Sequence, residues 1–264
     1  MSLIQINREG PVTTLTLNRA ETMNPLGAPG DGDAFVAVVN AINRDMECRV
    51  VILTGAGRAF SAGGDIKAMQ NKAGTFGGTA PAISDGYRDN IHLMLRALNE
   101  LPMPVIGRIN GPAYGGGVGM ISVCDIAIAV DSGVYSLTET RLGLLAANIS
   151  PYVVARMGEA NARRTFLTAR RMSAAEARHL NLLSDVVSAD QLDAAIELEL
   201  ADLLQCAPGA VAATKKLIAY VNAHDLDTSA IYTADKLADA WETDEGREGI
   251  TAFLSKQTPS WRKA

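Results

Sequence analysis

Apolar positions alternate with polar ones at the start of the chain and gather into continuous runs further along. The alternation at 4–6 and 12–17, on either side of a turn at 8–11, predicts the two strands of a β-hairpin. Three apolar runs predict further strands, at 49–54, 104–109 and 126–130. The first of them, RVVILT, is rich in β-branched residues, which is typical of a strand buried on both faces.

Apolar residues at helical spacing predict helices that start near Asp33, run from Asp89 to Leu101 and lie around Val118–Cys124. From about residue 151 the pattern is helical almost to the end. The glycine-rich segment 71–86 is interpreted as a mobile loop within one domain, with a linker between domains as the alternative. The pattern therefore predicts an α/β part followed by a helical part.

Composition and charge exclude several classes of protein. The 264 residues are 48% hydrophobic and carry a net charge of −5, which excludes a disordered chain and argues against a nucleic-acid partner. We expect no secretory signal and no membrane span, because no 18-residue apolar run occurs. Three scattered cysteines fit reduced thiols in a cytoplasmic protein. The three histidines show no ligand spacing, so no metal site is expected.

The first candidate for chemistry is TGAGRAFSAGGD at 54–65, which follows a predicted strand and leads into a helix. Glycines let the backbone approach a ligand, and amides at the start of a helix can hold an anion. A dinucleotide-binding loop would need a third glycine where Phe60 stands, and no Gly-Lys-Ser/Thr follows for a P-loop. An ordinary tight turn between a strand and a helix remains the alternative.

A second segment of the same kind is NGPAYGGGVG at 110–119. Two such turns in one chain suggest two backbone amides that converge on one carbonyl oxygen, which is the design of an oxyanion hole. Spacing alone does not establish that they converge.

Five segments together carry a resemblance to a known family. VILTGAGRAFSAGGDIKAM and PVIGRINGPAYGGGVGMISVCDIAIA resemble the two signature segments of the enoyl-CoA hydratase/isomerase (crotonase) family, and LTLNRAETMN, SAAEARHLNLLSDVV and AFLSKQTPSW also fit. The resemblance implies a spiral of ββα units over 1–200 and a helical trimerisation region over 201–264. It also implies a homotrimer or hexamer that acts on acyl-CoA thioesters, with coenzyme A as part of the substrate and no separate cofactor.

The resemblance also implies roles for particular positions. The oxyanion amides fall on Gly64 and Gly116. Contacts with coenzyme A fall on seven positions: Ala20, Met23, Ala62, Asp65, Ile66, Phe253 and Lys256. For the last two, an ordinary amphipathic final helix is the alternative interpretation.

Hydratases of the family usually carry two glutamates, and this chain matches only one of them. Glu139 stands at one position, but Gly119 occupies the other. Two carboxylates can divide the work of hydration, whereas one suffices to move a proton between C4 and C2. For Glu139 the alternative is a surface ion pair with Arg141, which would contribute little to stability.

Three functions remain open at this point. The first choice is hydration of a 2-enoyl-CoA, straight or branched, because the segment ISPYVV resembles relatives that hydrate 3-methylglutaconyl-CoA and similar substrates. The second is Δ3-Δ2-enoyl-CoA isomerisation, which a single glutamate favours on chemical grounds. The third is an acyl-CoA-binding protein with little catalytic activity.

Overall fold

The computed structural model describes residues 3–66 and 91–262. These residues form eleven strands: β1 (Ile4–Glu9), β2 (Val12–Leu17), β3 (Pro25–Leu26), β4 (Val50–Gly55), β5 (Gly63–Gly64), β6 (Val105–Ile109), β7 (Ala113–Tyr114), β8 (Ile126–Val130), β9 (Val134–Ser136), β10 (Met172–Ser173) and β11 (Asp185–Val187). They also form ten α-helices: α1 (Asp31–Asn43), α2 (Ile91–Asn99), α3 (Gly116–Ser122), α4 (Ser150–Met157), α5 (Glu159–Thr168), α6 (Ala174–His179), α7 (Leu192–Leu204), α8 (Pro208–Ala223), α9 (Leu226–Glu242) and α10 (Asp244–Leu254).

The central sheet has six strands in the order β1-β2-β4-β6-β8-β11. β1 and β2 pair antiparallel, with Ile4 opposite Leu17, and every pairing from β2 onward is parallel. All residues of β4 are buried, as expected for a central strand of a parallel sheet with both faces covered. The three predicted strands are confirmed with their ends within one residue. The predicted hairpin is confirmed as well, but β1 continues to Glu9, where the sequence placed the turn.

Short strands outside the central sheet form a repeated arrangement with it. β3 pairs with β5, and β7, β9 and β10 form a three-stranded sheet. A central strand, a short strand and a helix follow one another in β2-β3-α1, in β6-β7-α3 and in β8-β9-α4. Because the parallel central strands end at one edge of the sheet, this ββα repeat brings the segments after β4, β6 and β8 to the same edge.

The predicted helices agree with the structure where it describes them. The helix expected near Asp33 begins at Asp31, and the one expected around Val118–Cys124 is α3. Of the helix predicted over 89–101, the structure describes Ile91–Asn99. The glycine-rich segment 71–86 lies outside the described residues. β10 and β11 interrupt the part that was predicted to be helical almost throughout.

The chain divides into two compact units. The first comprises the described residues up to Leu101 together with Val105–Ile196, and the second comprises Pro102–Pro104 and residues 197–262. In the second unit, the Glu245 carboxylate accepts hydrogen bonds from the first free amides of α8, Gly209 N at 2.9 Å and Ala210 N at 3.0 Å. Across residues 3–66 and 91–262, no helix is both long and apolar enough to cross a membrane.

Candidate active site

The two glycine-rich turns lie against each other. Asn110 Oδ1 accepts a hydrogen bond from Gly55 N at 3.1 Å, and Asn110 Nδ2 donates to Gly57 O at 2.9 Å. Further along both segments, Tyr114 N donates to Ser61 O at 3.0 Å. The two segments that the sequence singled out are therefore in contact in the fold.

Gly63 is the point of closest approach between the two turns. Its φ is +84°, and a Cβ built on it would lie 2.3 Å from Tyr114 O and 3.1 Å from Gly116 N. Only glycine fits there, because any side chain would collide with the neighbouring backbone. The approach brings the two predicted amides together, since Gly64 N lies 3.6 Å from a Cβ built on Gly116.

The Gly116 amide stands at the beginning of α3. The amide of Gly119 donates to Gly115 O at 3.1 Å, which is the first helical hydrogen bond of this segment. The amides before it are those that a helix leaves without an acceptor of its own. The Gly116 amide can therefore donate a hydrogen bond to an oxygen outside the helix.

Glu139 follows β9 and begins a short 3-10 turn, Glu139–Leu142. Its carboxylate lies against the second glycine-rich turn, with Oε1 at 2.9 Å from a Cβ built on Gly115. The other oxygen, Oε2, is buried and has no hydrogen-bond partner. Burial raises the pKa of Glu139, because the charged form loses contact with water. A carboxyl group in this state can both accept and return a proton.

The alternative interpretation of Glu139 as half of a surface ion pair does not fit this environment. Arg141 is exposed, whereas Glu139 is half-buried with an unpartnered oxygen. Among the ion pairs of residues 3–66 and 91–262, none joins these two side chains.

A cavity of about 160 Å³ connects the first glycine-rich turn with the carboxylate. Gly64, Gly115 and Glu139 line it, so a predicted amide donor and the predicted acid–base group face one space. Most of the remaining wall is apolar and comes from the segment between Leu142 and Ile149, which follows the 3-10 turn. The arrangement suits a polar head held at the amides beside an apolar chain.

Gly119, where a second glutamate was expected, is enclosed. A Cβ built on it would lie 2.4 Å from Ile149 Cγ2 and 3.5 Å from Leu95 Cδ1. Gly119 itself is buried in α3. The site therefore offers one carboxylate from these two positions.

Comparison with known proteins identifies the family. The family model described as enoyl-CoA hydratase/isomerase matches residues 7–264. The chain belongs to the enoyl-CoA hydratase/isomerase family. A putative enoyl-CoA hydratase of Thermus thermophilus is 30% identical over 97% of this chain and 99% of its own length. The 1,2-epoxyphenylacetyl-CoA isomerase of Escherichia coli is 31% identical over 99% of this chain and 98% of its own.

Solved structures agree with this assignment. An enoyl-CoA hydratase from Shewanella pealeana superimposes with a TM-score of 0.91 at 30% identity, over 98% of this chain and 96% of the other. AtuE from Pseudomonas aeruginosa gives a TM-score of 0.91 at 34% identity, over 98% and 99% of the two chains. The predicted α/β crotonase-like fold with C-terminal helices is confirmed. Relatives named as hydratases and as isomerases occur at similar identity, so the family leaves the reaction open.

In this member of the enoyl-CoA hydratase/isomerase family, the positions predicted for coenzyme A in the first unit lie close together. Ala62 N donates to Met23 O at 2.6 Å, and Asp65 N donates to Leu26 O at 2.8 Å. Ala20 Cβ lies 3.0 Å from a Cβ built on Gly57. Ala62 and Ile66 also line the cavity with Glu139, and Ile66 is half exposed.

The two remaining positions predicted for coenzyme A lie in the second unit. Phe253 is strongly exposed at the end of α10, and Lys256 N donates to Phe253 O at 3.2 Å. Lys256 adopts a left-handed backbone conformation with φ of 54°. The structure thus places this pair together in a helix-terminating turn, and its role stays a prediction.

Sequence reasoning missed Asn24, a fully buried residue that ties the early loop to the first glycine-rich turn. Its Nδ2 donates to Ala59 O at 2.9 Å and to Phe60 O at 3.2 Å, and its Oδ1 accepts from Arg19 N at 2.9 Å. Ser61 Oγ in turn donates to Asn24 O at 2.8 Å. The available signal was an asparagine before a proline in a loop rich in turn-forming residues.

Proposed function

We propose that this protein hydrates a 2-enoyl-CoA thioester, with a straight or a branched acyl chain. The observation that carries the proposal is the half-buried Glu139 carboxylate, whose Oε2 has no hydrogen-bond partner, on the cavity that Gly64 also lines. Relatives named as enoyl-CoA hydratases, such as those of Thermus thermophilus and Clostridium acetobutylicum, support the same reaction.

In the proposed mechanism the thioester oxygen accepts hydrogen bonds from the Gly64 and Gly116 amides. Glu139 removes a proton from water as the hydroxyl oxygen bonds to C3, and the C2=C3 electrons move toward the thioester oxygen to give an enolate. The two amides stabilise that negative charge, and the loss of one such donor typically costs about 3–4 kcal/mol of barrier. Glu139 then delivers its proton to C2, which completes the addition of one water molecule.

The raised pKa of Glu139 supports this double duty. A carboxylic acid holds the abstracted proton more readily when burial disfavours its charged form. Acid–base catalysis is most effective when the pKa of the catalytic group lies near the working pH. A single group can then serve as base and afterwards as acid.

Isomerisation of a Δ3-enoyl-CoA to the Δ2 isomer is the second candidate function. Ile149 occupies the space next to Gly119, so no second carboxylate stands at that position to activate water. One carboxylate is sufficient to take a proton from C4 and return it to C2. The relatives named as isomerases, including the Escherichia coli 1,2-epoxyphenylacetyl-CoA isomerase, favour this candidate.

A spectrophotometric assay at the enoyl-thioester absorbance separates the candidates. Loss of absorbance with crotonyl-CoA indicates hydration, and a gain with a 3-enoyl-CoA indicates isomerisation. Glu139→Gln is expected to abolish turnover and to change acyl-CoA affinity by no more than a few-fold. Full activity in Glu139→Gln would refute the assigned role. Tight acyl-CoA binding with neither reaction in the unsubstituted protein would indicate a binding protein instead.

The same proposal covers substrate binding. Coenzyme A, carried on the substrate, is proposed to contact five residues of the first unit: Ala20, Met23, Ala62, Asp65 and Ile66. Phe253 and Lys256 are a separate proposed pair of coenzyme A contacts in the second unit. The chemistry proposed for Glu139 and the two amides is complete without a separate cofactor or metal.

We further infer that the protein assembles as a homotrimer or hexamer. In the second unit Leu226, Leu237, Trp241 and Leu254 are each more than half exposed, and large apolar surfaces of this kind are typical of subunit interfaces. Light scattering is expected to give three or six times the mass of the chain, and a monomer would contradict the inference.

A cytoplasmic location belongs to the same proposal. Cys48, Cys124 and Cys206 form no disulfide in the described part of the chain, which suits a reducing compartment.

A further inference from the structure

Ile149 forms the cover over Gly119. Its Cγ2 lies 2.4 Å, and its Cβ 2.9 Å, from the place that a Cβ on Gly119 would take. Ile149 is 2% exposed, so its side chain is buried at this position. Its backbone is held as well, because Ile149 precedes α4 and Ile149 O accepts the helical hydrogen bond from Val153 N at 3.0 Å.

The side chain of Ile149 separates Gly119 from the reaction cavity. Ile149 lines the cavity together with Glu139, whereas Gly119 lies behind it in α3 and does not line the cavity. A side chain at position 119 that extended toward the cavity would contact Ile149 first. The residue also presents only methyl and methylene groups, which cannot hydrogen-bond to a water molecule.

We propose that Ile149 is a specificity-determining residue that restricts the site to one carboxylate. By filling the space beside Gly119, it excludes both a second acid–base group and the water that such a group would hold, so all proton transfer passes through Glu139. This inference rests on the proposed acyl-CoA chemistry of Glu139, but it concerns the wall of the site and is tested separately from the choice of reaction.

The steric part is tested by a double-mutant cycle of Gly119→Ala and Ile149→Gly. Gly119→Ala alone is expected to lower the melting temperature, because its Cβ collides with Ile149 Cγ2. Gly119→Ala in an Ile149→Gly background is expected to cost nothing or to stabilise, because the colliding methyl group is gone. Equal effects of Gly119→Ala in the two backgrounds would overturn the steric argument.

The chemical part compares Gly119→Glu/Ile149→Gly with the matched Gly119→Gln/Ile149→Gly. The two variants differ only in a carboxylate against an amide of the same shape. With crotonyl-CoA, the glutamate variant is expected to hydrate at least about tenfold faster, in line with the gain from a positioned acid–base group. Equal hydration rates in two folded variants would refute the proposal.

A third comparison applies if circular dichroism shows that either double variant is unfolded. Ile149→Val keeps Cγ2 over Gly119, whereas Ile149→Ala removes it and opens the wall to water. The ratio of hydration to isomerisation is expected to be higher in Ile149→Ala than in Ile149→Val, and an unchanged ratio would count against the inference. Failure of the proposed hydration is visible independently, as absence of crotonyl-CoA turnover in the unsubstituted protein.

Discussion

Replacement of Asn24 by alanine should destabilise the first unit and loosen the thioester site together. The side chain is fully buried and its amide group is saturated by neighbouring backbone atoms. Alanine would leave Arg19 N without its acceptor and Ala59 O without its donor. Each unsatisfied buried group costs about 1–3 kcal/mol, so the two together cost about 2–6 kcal/mol.

Backbone conformation adds to this cost. Asn24 has φ of 56°, in the left-handed region that asparagine tolerates better than alanine does. The left-handed conformation costs an ordinary L-residue about 1–2 kcal/mol. The two costs together give about 3–8 kcal/mol for Asn24→Ala, with a central expectation of about 5–6 kcal/mol, which is a large share of the roughly 5–15 kcal/mol that stabilises a native protein.

Urea unfolding followed by circular dichroism measures the loss, with Asn24→Gly as the matched control. Glycine removes the same hydrogen bonds but accepts the positive φ, so its loss should be smaller by about 1–2 kcal/mol. The KM for an acyl-CoA should rise in both variants, because the Asn24 side chain no longer holds Ala59 O and Phe60 O in the turn that leads to Gly64. A loss below about 1 kcal/mol in both variants would refute the view that this buried amide holds the turn in place.

Three further predictions concern other positions. Because burial raises the pKa of Glu139, the acid limb of the pH–rate profile should lie above the range of an ordinary glutamate and follow Glu139 titration. The folded state then binds the Glu139 proton more tightly than the unfolded state, so the contribution of Glu139 to stability declines as the pH rises between its unfolded-state and folded-state pKa values. Glu139→Gln should therefore raise the melting temperature at a pH above both pKa values and leave it unchanged at a pH below both. Gly63→Ala should abolish turnover, as read in the enoyl-thioester assay, because its Cβ would lie 2.3 Å from Tyr114 O. Glu245→Ala should cost about 1 kcal/mol in urea unfolding through the loss of the cap on α8, with no change in KM.

Much of the central sheet could be predicted from the sequence, because its signals are local. The run at 126–130 corresponds to β8 residue for residue. β10 was missed because its two residues become a strand only by pairing with β9, where Met172 faces Tyr135 from 37 positions away. No propensity within a dipeptide carries that information.

The candidate site, too, could be predicted from the sequence only in part. The position of Glu139 came from a motif resemblance, but its partnerless Oε2 depends on packing against Gly115, which belongs to another ββα unit. The approach of Gly63 to Tyr114 joins segments about fifty residues apart and required the fold. The cover that Ile149 places over Gly119 could not be predicted either, since it depends on where α4 begins relative to α3.

The contact between Gly63 and the Tyr114 carbonyl has an evolutionary consequence. The two proposed thioester donors are main-chain amides, so no substitution other than one to proline deletes them. Their positions depend on how the two glycine-rich turns pack. The acid–base group and the wall around it are side chains that single substitutions can exchange. Substitutions of those side chains can therefore change the reaction while the amides that bind the thioester stay in place, and relatives named as a hydratase and as an isomerase are 30% and 31% identical to this chain.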